Sequence, residues 1–550
     1  MNDKAQATGL GRSAALAPLR YPTFREIWIA SLASNLGGLI QSVGAAWMMT
    51  SLAASADLVA LVAASTTLPI MIFSLASGAI ADNFDRRRVM LVAQGFMLSV
   101  SVLLAVCAWF ELLTPWLLLS FTFLIGCGTA LNNPSWQASV GEMVPRDHLP
   151  SAVALNSVNF NLTRSVGPAI GGAIVAAAGP AAAFAVNALS YGPLLWALRR
   201  WRPTPLSTAV PPEPLGQAMT SGLRYVAMSP RIEVVILRGL IFGFAAIVVL
   251  ALLPLVSRDL LGGGPLLYGV LLGCYGLGAV GGAFIGGRAR EKWANETVAR
   301  AAFAGFALSA ALVSVSVSAW QVALAMVLAG ACWVVALSMF NVTVQLSTPR
   351  WVLGRALALY QTATFGGMAL GAWVWGLVAD TSGVSTAFAI ASMVLVFGLV
   401  VGLRFPLPIK PSDNLDPLNR WKAPALALDL QGRSGPVAVL IEYVVREADT
   451  AAFLSAMNER RRIRRRDGAR QWELLRDTEH PDRWIESYHV PTWNDYVRHN
   501  QRRTHADAAV DDRIRALHSG DAPPVVHRMV VRPTDNAEPG LQTKMPVDLG

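Results

Sequence analysis

An internal repeat with a fixed offset of 204 residues is the strongest constraint on the fold of this 550-residue chain. The matched positions are Gly78 and Gly282, Arg86 and Arg290, Pro145 and Pro349, Gly167 and Gly371, Gly172 and Gly376, Gly179 and Gly383, and Phe184 and Phe388. Each copy also contains about six long apolar segments. Such a duplication predicts two six-helix halves that cross a membrane and are related as parallel repeats.

The apolar segments predict that the chain crosses the membrane twelve times. A span needs about 20 residues to cross a hydrocarbon core of about 30 Å. Twelve segments meet or approach that length, at residues 27–50, 58–81, 89–109, 116–140, 153–178, 181–198, 234–255, 266–287, 301–318, 320–346, 357–379 and 385–403. The first is no removable signal, because it is too long and lacks a small-residue cleavage pattern. We therefore expect an all-α membrane domain of two six-helix repeats.

Basic residues concentrate in alternate loops, and this asymmetry predicts the orientation. One set of loops holds nearly all the arginines and lysines between spans, whereas the opposite set holds only Arg258. By the positive-inside rule the basic loops and both termini are cytoplasmic. The net charge of +10 is mostly this topology signal, and no nucleic-acid-binding module accompanies it. The four cysteines lie singly in predicted spans, so no disulfide, metal site or cofactor is expected.

The loop after the second predicted span carries a charged motif that begins at Gly78 and ends in three arginines, residues 86–88. A glycine permits close helix contact, an acid suits a helix N-terminus, and arginines can pair with acids at helix ends. We expect a conformational latch formed by Gly78, Asp82, Arg86, Arg87 and Glu142. The alternative is a charged turn that only enforces topology. The motif resembles the cytoplasmic signature of the major facilitator superfamily.

The fifth predicted span contains Gly167, Pro168, Gly171 and Gly172 within six residues. Glycines allow close helix contacts, and the proline bends the helix and frees a carbonyl group. We expect these residues to pack helices together where the two halves move. The segment is similar to a glycine-proline signature of exporters in the same superfamily, although tight packing alone explains such a helix equally well.

Residues 20–405 as a whole resemble the enterobactin-exporter-like branch of that superfamily. The stretches that carry the resemblance are 21–28, 82–88, 132–134, 143–146 and 155–164. Members export siderophores, drugs or other small amphiphilic molecules, generally at the expense of the proton gradient. The resemblance implies an antiporter-type exporter in the cell inner membrane, with the lipid bilayer and a small-molecule substrate as its partners.

Several polar residues at membrane depth have no polar counterpart in the second repeat. They are Asn132, Asn133, Asn159, Asn161 and Arg164, which the offset pairs with Ala336, Leu337, Ala363, Phe365 and Met368. A scaffold position should recur in both halves, whereas a substrate site need not. A charge at this depth costs about 2.5–3.5 kcal/mol and should face a cavity or a partner. The expected substrate-binding residues of this group are Arg164, Asn133, Asn132 and Asn159. The alternative is an arginine held by Asn133 and backbone carbonyls as structural glue.

Three further amides lie on spans that line the central cavity in the superfamily. By that resemblance Asn35, Gln41 and Asn341 are substrate-binding candidates, although lone amides also serve as interhelical hydrogen bonds. Every acid of the membrane region lies at or outside a predicted span end. The implied proton coupling thus has no mid-membrane carboxylate, and its nearest candidates are Glu142, Asp82 and Asp380.

After residue 404 the chain becomes proline-rich and then dense in charge. Strands are predicted at 437–445, 471–477, 483–490 and 525–532, and helices at 449–466 and from 492–503 onward. That order predicts a cytoplasmic α+β domain of the ferredoxin-like type. The predicted segments are a leader at 1–26, six-helix halves at 27–198 and 234–404 joined by a linker at 199–233, a proline-rich linker at 405–435, the α+β domain at 436–533 and a disordered tail at 534–550.

The C-terminal domain has a Trp-Ile-Glu stretch at 484–486 and a predicted helix at 493–499. With these in the expected places it resembles the dimeric domain of antibiotic-biosynthesis monooxygenases, which implies that two copies pair through it. We expect a non-catalytic dimerisation or regulatory module, since a fold does not fix a function. The alternative is a membrane-tethered enzyme or sensor acting on a small aromatic or haem-like molecule. The arginine-rich run at 460–466 is expected to be a solvated helix face that could rest on anionic lipid headgroups.

Overall fold

A computed structural model describes residues 16–53, 55–202, 215–349, 351–408, 414–415, 418, 421 and 424–531. The chain divides into two compact units. The first unit comprises Met1–Leu215, Arg231–Val344 and Leu357–Lys410, and the second comprises Gly216–Pro230, Gln345–Ala356 and Pro411–Gly550. The second unit therefore combines the C-terminal region with two short segments that lie between predicted spans.

Long helices build the first unit. In chain order the helices up to residue 404 are α1 (Pro22–Leu52), α2 (Ala56–Asn83), α3 (Arg86–Trp109), α4 (Pro115–Met143), α5 (Leu149–Arg200), α6 (Leu215–Ala227, assigned to the second unit from Gly216 onward), α7 (Pro230–Leu255), α8 (Pro265–Lys292), α9 (Asn295–Val315), α10 (Ala319–Leu346), α11 (Leu353–Ser382) and α12 (Val384–Arg404). Ten of the described helices are long and apolar enough to cross a membrane, with α5 counted once. The count of twelve spans stays a prediction.

The repeat is visible in the backbone at two equivalent glycines. Gly179 has a φ of 78° inside α5, and Gly383 has a φ of 90° between α11 and α12. Residues with a Cβ atom rarely adopt such angles, so glycine is the natural residue at both positions. The break divides α5 into two helical stretches that correspond to α11 and α12 in the second repeat.

Glycines also bring helices of the two repeats into backbone contact. A Cβ atom added to Gly172 of α5 would lie 2.8 Å from the Cα atom of Gly269 on α8. A Cβ atom added to Gly376 of α11 would lie 2.7 Å from the Cα atom of Asp57 on α2. Because Gly172 and Gly376 are repeat partners, the α5–α8 and α2–α11 contacts are equivalent seams between the halves.

The second unit contains a small antiparallel sheet with strand order β2-β3-β1-β4. Its elements are β1 (Val437–Val444), α13 (Thr450–Arg466), β2 (Arg470–Arg476), β3 (Arg483–Val490), α14 (Trp493–Gln501), α15 (His505–Ala516) and β4 (Val525–Val530). The strands agree with the predicted ones to within two residues. The helix predicted from 492 onward is two helices, because Thr504 starts α15 with a capping box that includes Asp507.

Two segments from the membrane part of the sequence pack within this second unit. Tyr225 of α6 meets Trp351 edge to face, with ring centroids 5.6 Å apart. The guanidinium carbon of Arg466 lies 5.2 Å from the Tyr225 ring, and that of Arg502 lies 4.1 Å from the Trp351 ring. Gly222 of α6 fits directly against the side chain of Arg355. The linker predicted at 199–233 thus contains a helix that is packed by aromatic and cation–π contacts.

Candidate functional site

Arg164 lies on α5 among aromatic rings from both repeats. Its guanidinium carbon is 5.9 Å from the centre of the Phe160 ring, 5.7 Å from that of Tyr275 and 5.9 Å from that of Trp333. Tyr275 belongs to α8 and Trp333 to α10, so two of these cation–π contacts cross between the repeats. Arg164 is half-buried, and no carboxylate of the described residues pairs with it. The positive charge of Arg164 is therefore surrounded by aromatic rings and has no acidic partner among the described residues.

Asn159 and Asn35 form a polar contact between α1 and α5. Asn35 Nδ2 donates a hydrogen bond of 3.2 Å to Asn159 Oδ1, and Asn159 Nδ2 donates one of 3.1 Å to the carbonyl oxygen of Trp28. The Trp28 indole donates in turn to the carbonyl oxygen of Leu155 at 3.1 Å. Asn159 is buried, whereas Asn35 is exposed. The Asn159 amide therefore holds the two helices together.

Gln41 belongs to a buried hydrogen-bonded cluster inside the first repeat. Its Oε1 atom accepts a bond of 3.1 Å from Ser101 and another from Asn187 Nδ2. Asn187 Nδ2 also lies 3.2 Å from the Tyr191 hydroxyl oxygen. This geometry favours the alternative interpretation of Gln41, in which its amide forms hydrogen bonds between helices. Asn187 was missed by the sequence reasoning, although an asparagine inside the sixth predicted span is a visible signal.

The other candidate amides occupy different surroundings. Asn132 Oδ1 accepts a hydrogen bond of 3.2 Å from Gln94 on α3. Asn133, the next residue of α4, is exposed, and Asn341 on α10 is half-buried and makes a contact of its own. Within the described residues, neither Asn133 nor Asn159 makes a hydrogen bond to Arg164.

The proposed latch residues form contacts on the first repeat. Arg86 Nη1 donates to Glu142 Oε1 at 2.6 Å and to the carbonyl oxygen of Ala138 at 3.1 Å, which ties α3 to α4. Arg87 donates to the carbonyl oxygens of Leu198 at 2.8 Å and Arg199 at 2.7 Å, so it caps the C-terminal end of α5. The side chain of Asp82 lies outside the described residues.

Gly78 has no close helix neighbour in the described part of this structure, and its role in the latch stays a prediction. Outside its own helix, no heavy atom of the described residues lies within 4 Å of a Cβ atom built on Gly78. Its repeat partner Gly282 does have one: a Cβ atom there would lie 2.5 Å from the carbonyl oxygen of Ala331 on α10. Close packing at this position belongs to the second repeat.

The glycine-proline segment faces two different helices. A Cβ atom on Gly167 would lie 3.0 Å from Cβ of Leu39, and one on Gly171 would lie 3.1 Å from Cα of Ile40, both on α1. Gly172 faces α8, as described above, and the carbonyl oxygen of Pro168 lies against Gly269 of the same helix. This stretch of α5 is therefore packed between α1 and a helix of the other repeat.

A second charged group, which the sequence reasoning missed, lies in the second repeat. Arg238 of α7 is fully buried and donates to Glu296 Oε1 at 3.2 Å. Glu296 also accepts from Arg300 Nε at 2.8 Å and from the backbone N–H of Leu407 at 2.8 Å. The signal was an arginine inside the seventh predicted span. Because the charge of Arg238 is paired with Glu296, this group is an ion pair that holds α7 to α9.

The arginine run of the second unit is also different from the expectation. Arg460 and Arg464 are buried, with 7% and 4% exposure, and both donate to Glu486 at 2.8 Å and 3.1 Å. The run is not wholly a solvated face, because α13 turns these two side chains toward the sheet. Burial raises the pKa of the Glu486 carboxyl, but the charges of Arg460 and Arg464 outweigh burial and lower it to about 2.

The helical repeats and their glycine seams define a multi-pass membrane fold of two related halves. A solved bacterial homologue of the human lysosomal transporter Spinster superposes with a TM-score of 0.55, and the match covers 70% of this chain and 96% of that one at 14% identity. The chain belongs to the transmembrane secretion effector family of the major facilitator superfamily, whose pattern matches residues 13–535.

Two sequence relatives have names that concern transport of small molecules. The multidrug efflux pump Tap of Mycobacterium tuberculosis is 25% identical over 424 residues, which is 72% of this chain and 97% of that protein. The staphyloferrin A transporter of Staphylococcus aureus is 27% identical over 157 residues, or 28% of this chain and 40% of that protein.

Proposed function

We propose that this protein is a twelve-span secondary transporter that exports a small amphiphilic molecule, such as a siderophore or a drug, from the cytoplasm by alternating access. The observation that carries the proposal is the position of Arg164, a half-buried charge surrounded by rings from both repeats. An efflux pump among the relatives supports the outward direction.

The geometry at Arg164 suits a substrate with an anionic or hydrogen-bond-accepting group and an apolar part. The guanidinium would donate to the acceptor, and the rings of Tyr275 and Trp333 would pack on the apolar part. Because these rings belong to the second repeat, rocking of the halves would open and close the group around the substrate. Asn132, Asn133 and Asn341 remain candidates for the rim of the substrate site, whereas Asn35 and Asn159 would hold α1 against α5.

On the basis of the family resemblance, we propose that export is coupled to proton antiport. Two of its candidate carboxylates have partners: Glu142 pairs with Arg86, and Asp380 Oδ1 accepts a bond of 3.1 Å from the backbone N–H of Ala56. Protonation of Glu142 would remove its ion pair with Arg86 and weaken the α3–α4 contact, while the hydrogen bond from Arg86 to the Ala138 carbonyl oxygen would remain. We place both termini in the cytoplasm, on the basis of the loop charges.

For the C-terminal region we propose a ferredoxin-like regulatory module that pairs with a second copy. The strand order and the alternation of strands and helices support the fold. Sedimentation of the detergent-solubilised protein, with and without residues 412–550, would test the pairing.

Transport into inverted membrane vesicles tests the main proposal. A panel of siderophores and drugs would be screened for uptake, and the responding compound would then be measured with Arg164→Ala, Arg164→Lys and Arg200→Ala. Arg200 is the matched control, because it also makes a cation–π contact, with Trp196 at 4.7 Å, but lies beyond the break at Gly179 and is exposed. We expect strong loss of uptake for Arg164→Ala, partial loss for Arg164→Lys and no change for Arg200→Ala. Equal uptake by all three variants would refute the assignment.

A further inference from the structure

A cavity of about 400 Å³ lies in the second unit beside the sheet and its helices. Tyr443 of β1 and Tyr488 of β3 contribute aromatic walls, together with Tyr496 of α14 and Trp421. The Trp421 and Tyr496 rings meet edge to face, with centroids 6.1 Å apart. Sites for small molecules in proteins have volumes of this order, so these walls suit a flat apolar ring.

Arginines dominate the charged part of the same lining. Among the described residues, five arginines line the cavity: Arg460, Arg464, Arg503, Arg515 and Arg528. Asp511 is the single acid in this described part of the lining. An aromatic cavity with this ratio of charges is built for an anion rather than for a neutral or cationic molecule.

The acids near the cavity do not balance its arginines. Glu486 lies behind the wall and accepts from both Arg460 and Arg464. Asp511 pairs with Arg460 and Arg503. Three arginines thus share two carboxylates. Burial, and after it the positive charges of Arg464 and Arg460, lower the pKa of Arg503 to about 10.

Arg528 of β4 adds a further charge at the exposed side of the cavity. Its Nε donates to the Tyr496 hydroxyl oxygen at 2.7 Å and its Nη1 to the carbonyl oxygen of Val526 at 3.3 Å. No carboxylate in the described part of the chain pairs with it. A guanidinium engaged only by neutral oxygens can still bind a planar carboxylate through two N–H groups.

We propose that this cavity is a binding site for a small aromatic carboxylate, with the ring held by the tyrosines and Trp421 and the carboxylate held by Arg528 and Arg503. The site lies in the soluble module, so it is separate from the transport site proposed at Arg164. Binding here does not depend on the exporter proposal.

Equilibrium dialysis of the full-length protein in lipid nanodiscs tests this site. The probes are indoleacetate and its neutral analogue indoleacetamide, which share a shape and differ in charge. To silence the transport site, all measurements use the Arg164→Ala background. We expect saturable binding of indoleacetate and binding of indoleacetamide weaker by about tenfold to a hundredfold, the range for a lost charge-assisted hydrogen bond.

Variants of Arg528 locate the binding. Arg528→Gln should lower the affinity for indoleacetate toward that for indoleacetamide, because only Arg503 then remains to hold the carboxylate, and Arg528→Lys should lower it less. Arg513→Gln is the matched control, because that arginine lies on α15 outside the cavity lining and pairs with Glu459 at the surface. Circular dichroism would confirm that each variant is folded. Absence of saturable indoleacetate binding, equal affinity for the two probes, or full affinity in Arg528→Gln would each overturn the proposal.

Discussion

At the scale of single residues, the contacts of Arg164 determine how easily a substrate could bind its guanidinium group. Cation–π contacts contribute about 0.5–1 kcal/mol each at exposed sites and about 2 when desolvated. A charge-assisted hydrogen bond contributes about 1.5–3 kcal/mol. A substrate acceptor can therefore compete for the guanidinium without breaking an ion pair, which is not true of Arg238 with its bond to Glu296.

Replacing Arg164 by alanine should weaken substrate binding by about tenfold to a hundredfold. The reason is the loss of the charged donor, while Phe160, Tyr275 and Trp333 keep the apolar part of the site. Binding measured in detergent removes the membrane potential and isolates this effect from coupling. A polar substitution of Met368, the buried repeat partner of Arg164, should not create a second substrate-binding site. Unchanged affinity in a destabilised Arg164→Ala protein would show that the arginine is structural glue.

Replacing Asn187 by alanine should destabilise the protein without changing substrate affinity. The change removes one of the two donors to the buried carbonyl oxygen of Gln41, since Ser101 still donates to it, and the loss of one hydrogen bond costs about 0.5–1.5 kcal/mol. Thermal unfolding in detergent would measure the loss, and ligand binding by the surviving folded protein would provide the control. An affinity loss with normal stability would move Gln41 back to the substrate site.

At the scale of elements, the Arg86–Glu142 pair connects α3 to α4 on the first repeat. Each single change, Arg86→Glu or Glu142→Arg, should impair transport, because it places like charges together. The double exchange should restore part of the activity, since it restores the attraction. Transport and cysteine accessibility from both membrane sides would be measured in all three. A double variant no better than the singles would argue against a latch made by this pair.

His499 should make the stability of the C-terminal module depend on pH. Burial, and then the charge of Arg464, hold the pKa of this imidazole well below its usual value of 6.5. The stabilisation is complete above the unfolded pKa of about 6.5 and is lost as the pH falls toward the folded value, by up to about 1.4 kcal/mol per pH unit. Hydrogen exchange of β1 and β3 in the full chain, corrected for intrinsic rates, should show this slope between pH 6.5 and 5. His499→Gln should flatten it, and an equal slope in the variant would exclude His499.

The positions of helices and strands were easier to predict from the sequence than the surroundings of individual polar side chains. The repeat placed Gly179 and Gly383 at equivalent positions, and the strand pattern fell within two residues of the strands found. The environment of a polar side chain could not be predicted in the same way. Gln41 and Asn35 lie on one helix, yet one is buried and the other exposed. The burial of Arg460 depends on Glu486, a strand residue that is remote in sequence.

At the scale of the whole molecule, truncation after residue 411 tests how far the repeats function alone. We expect correct insertion and partial transport, because the seams at Gly172 and Gly376 join the two repeats to each other without any residue after 411. Thermal stability should fall, since Tyr225 and Trp351 lose the contacts of Arg466 and Arg502. Vesicles holding equal amounts of each form would be compared for uptake. Complete inactivity of a correctly inserted truncation would make the C-terminal region essential.

The packing of α6 within the second unit also has a consequence for biosynthesis. This helix ends at Ala227, and the first strand of its partner sheet begins at Val437, which is 210 residues later. At ~5–20 residues per second the ribosome needs on the order of 10–40 s to make that stretch. During this interval the ring of Tyr225, which ends 3% exposed, has no sheet domain to pack with. The final packing of the second unit therefore forms only after the last membrane helix has been synthesised.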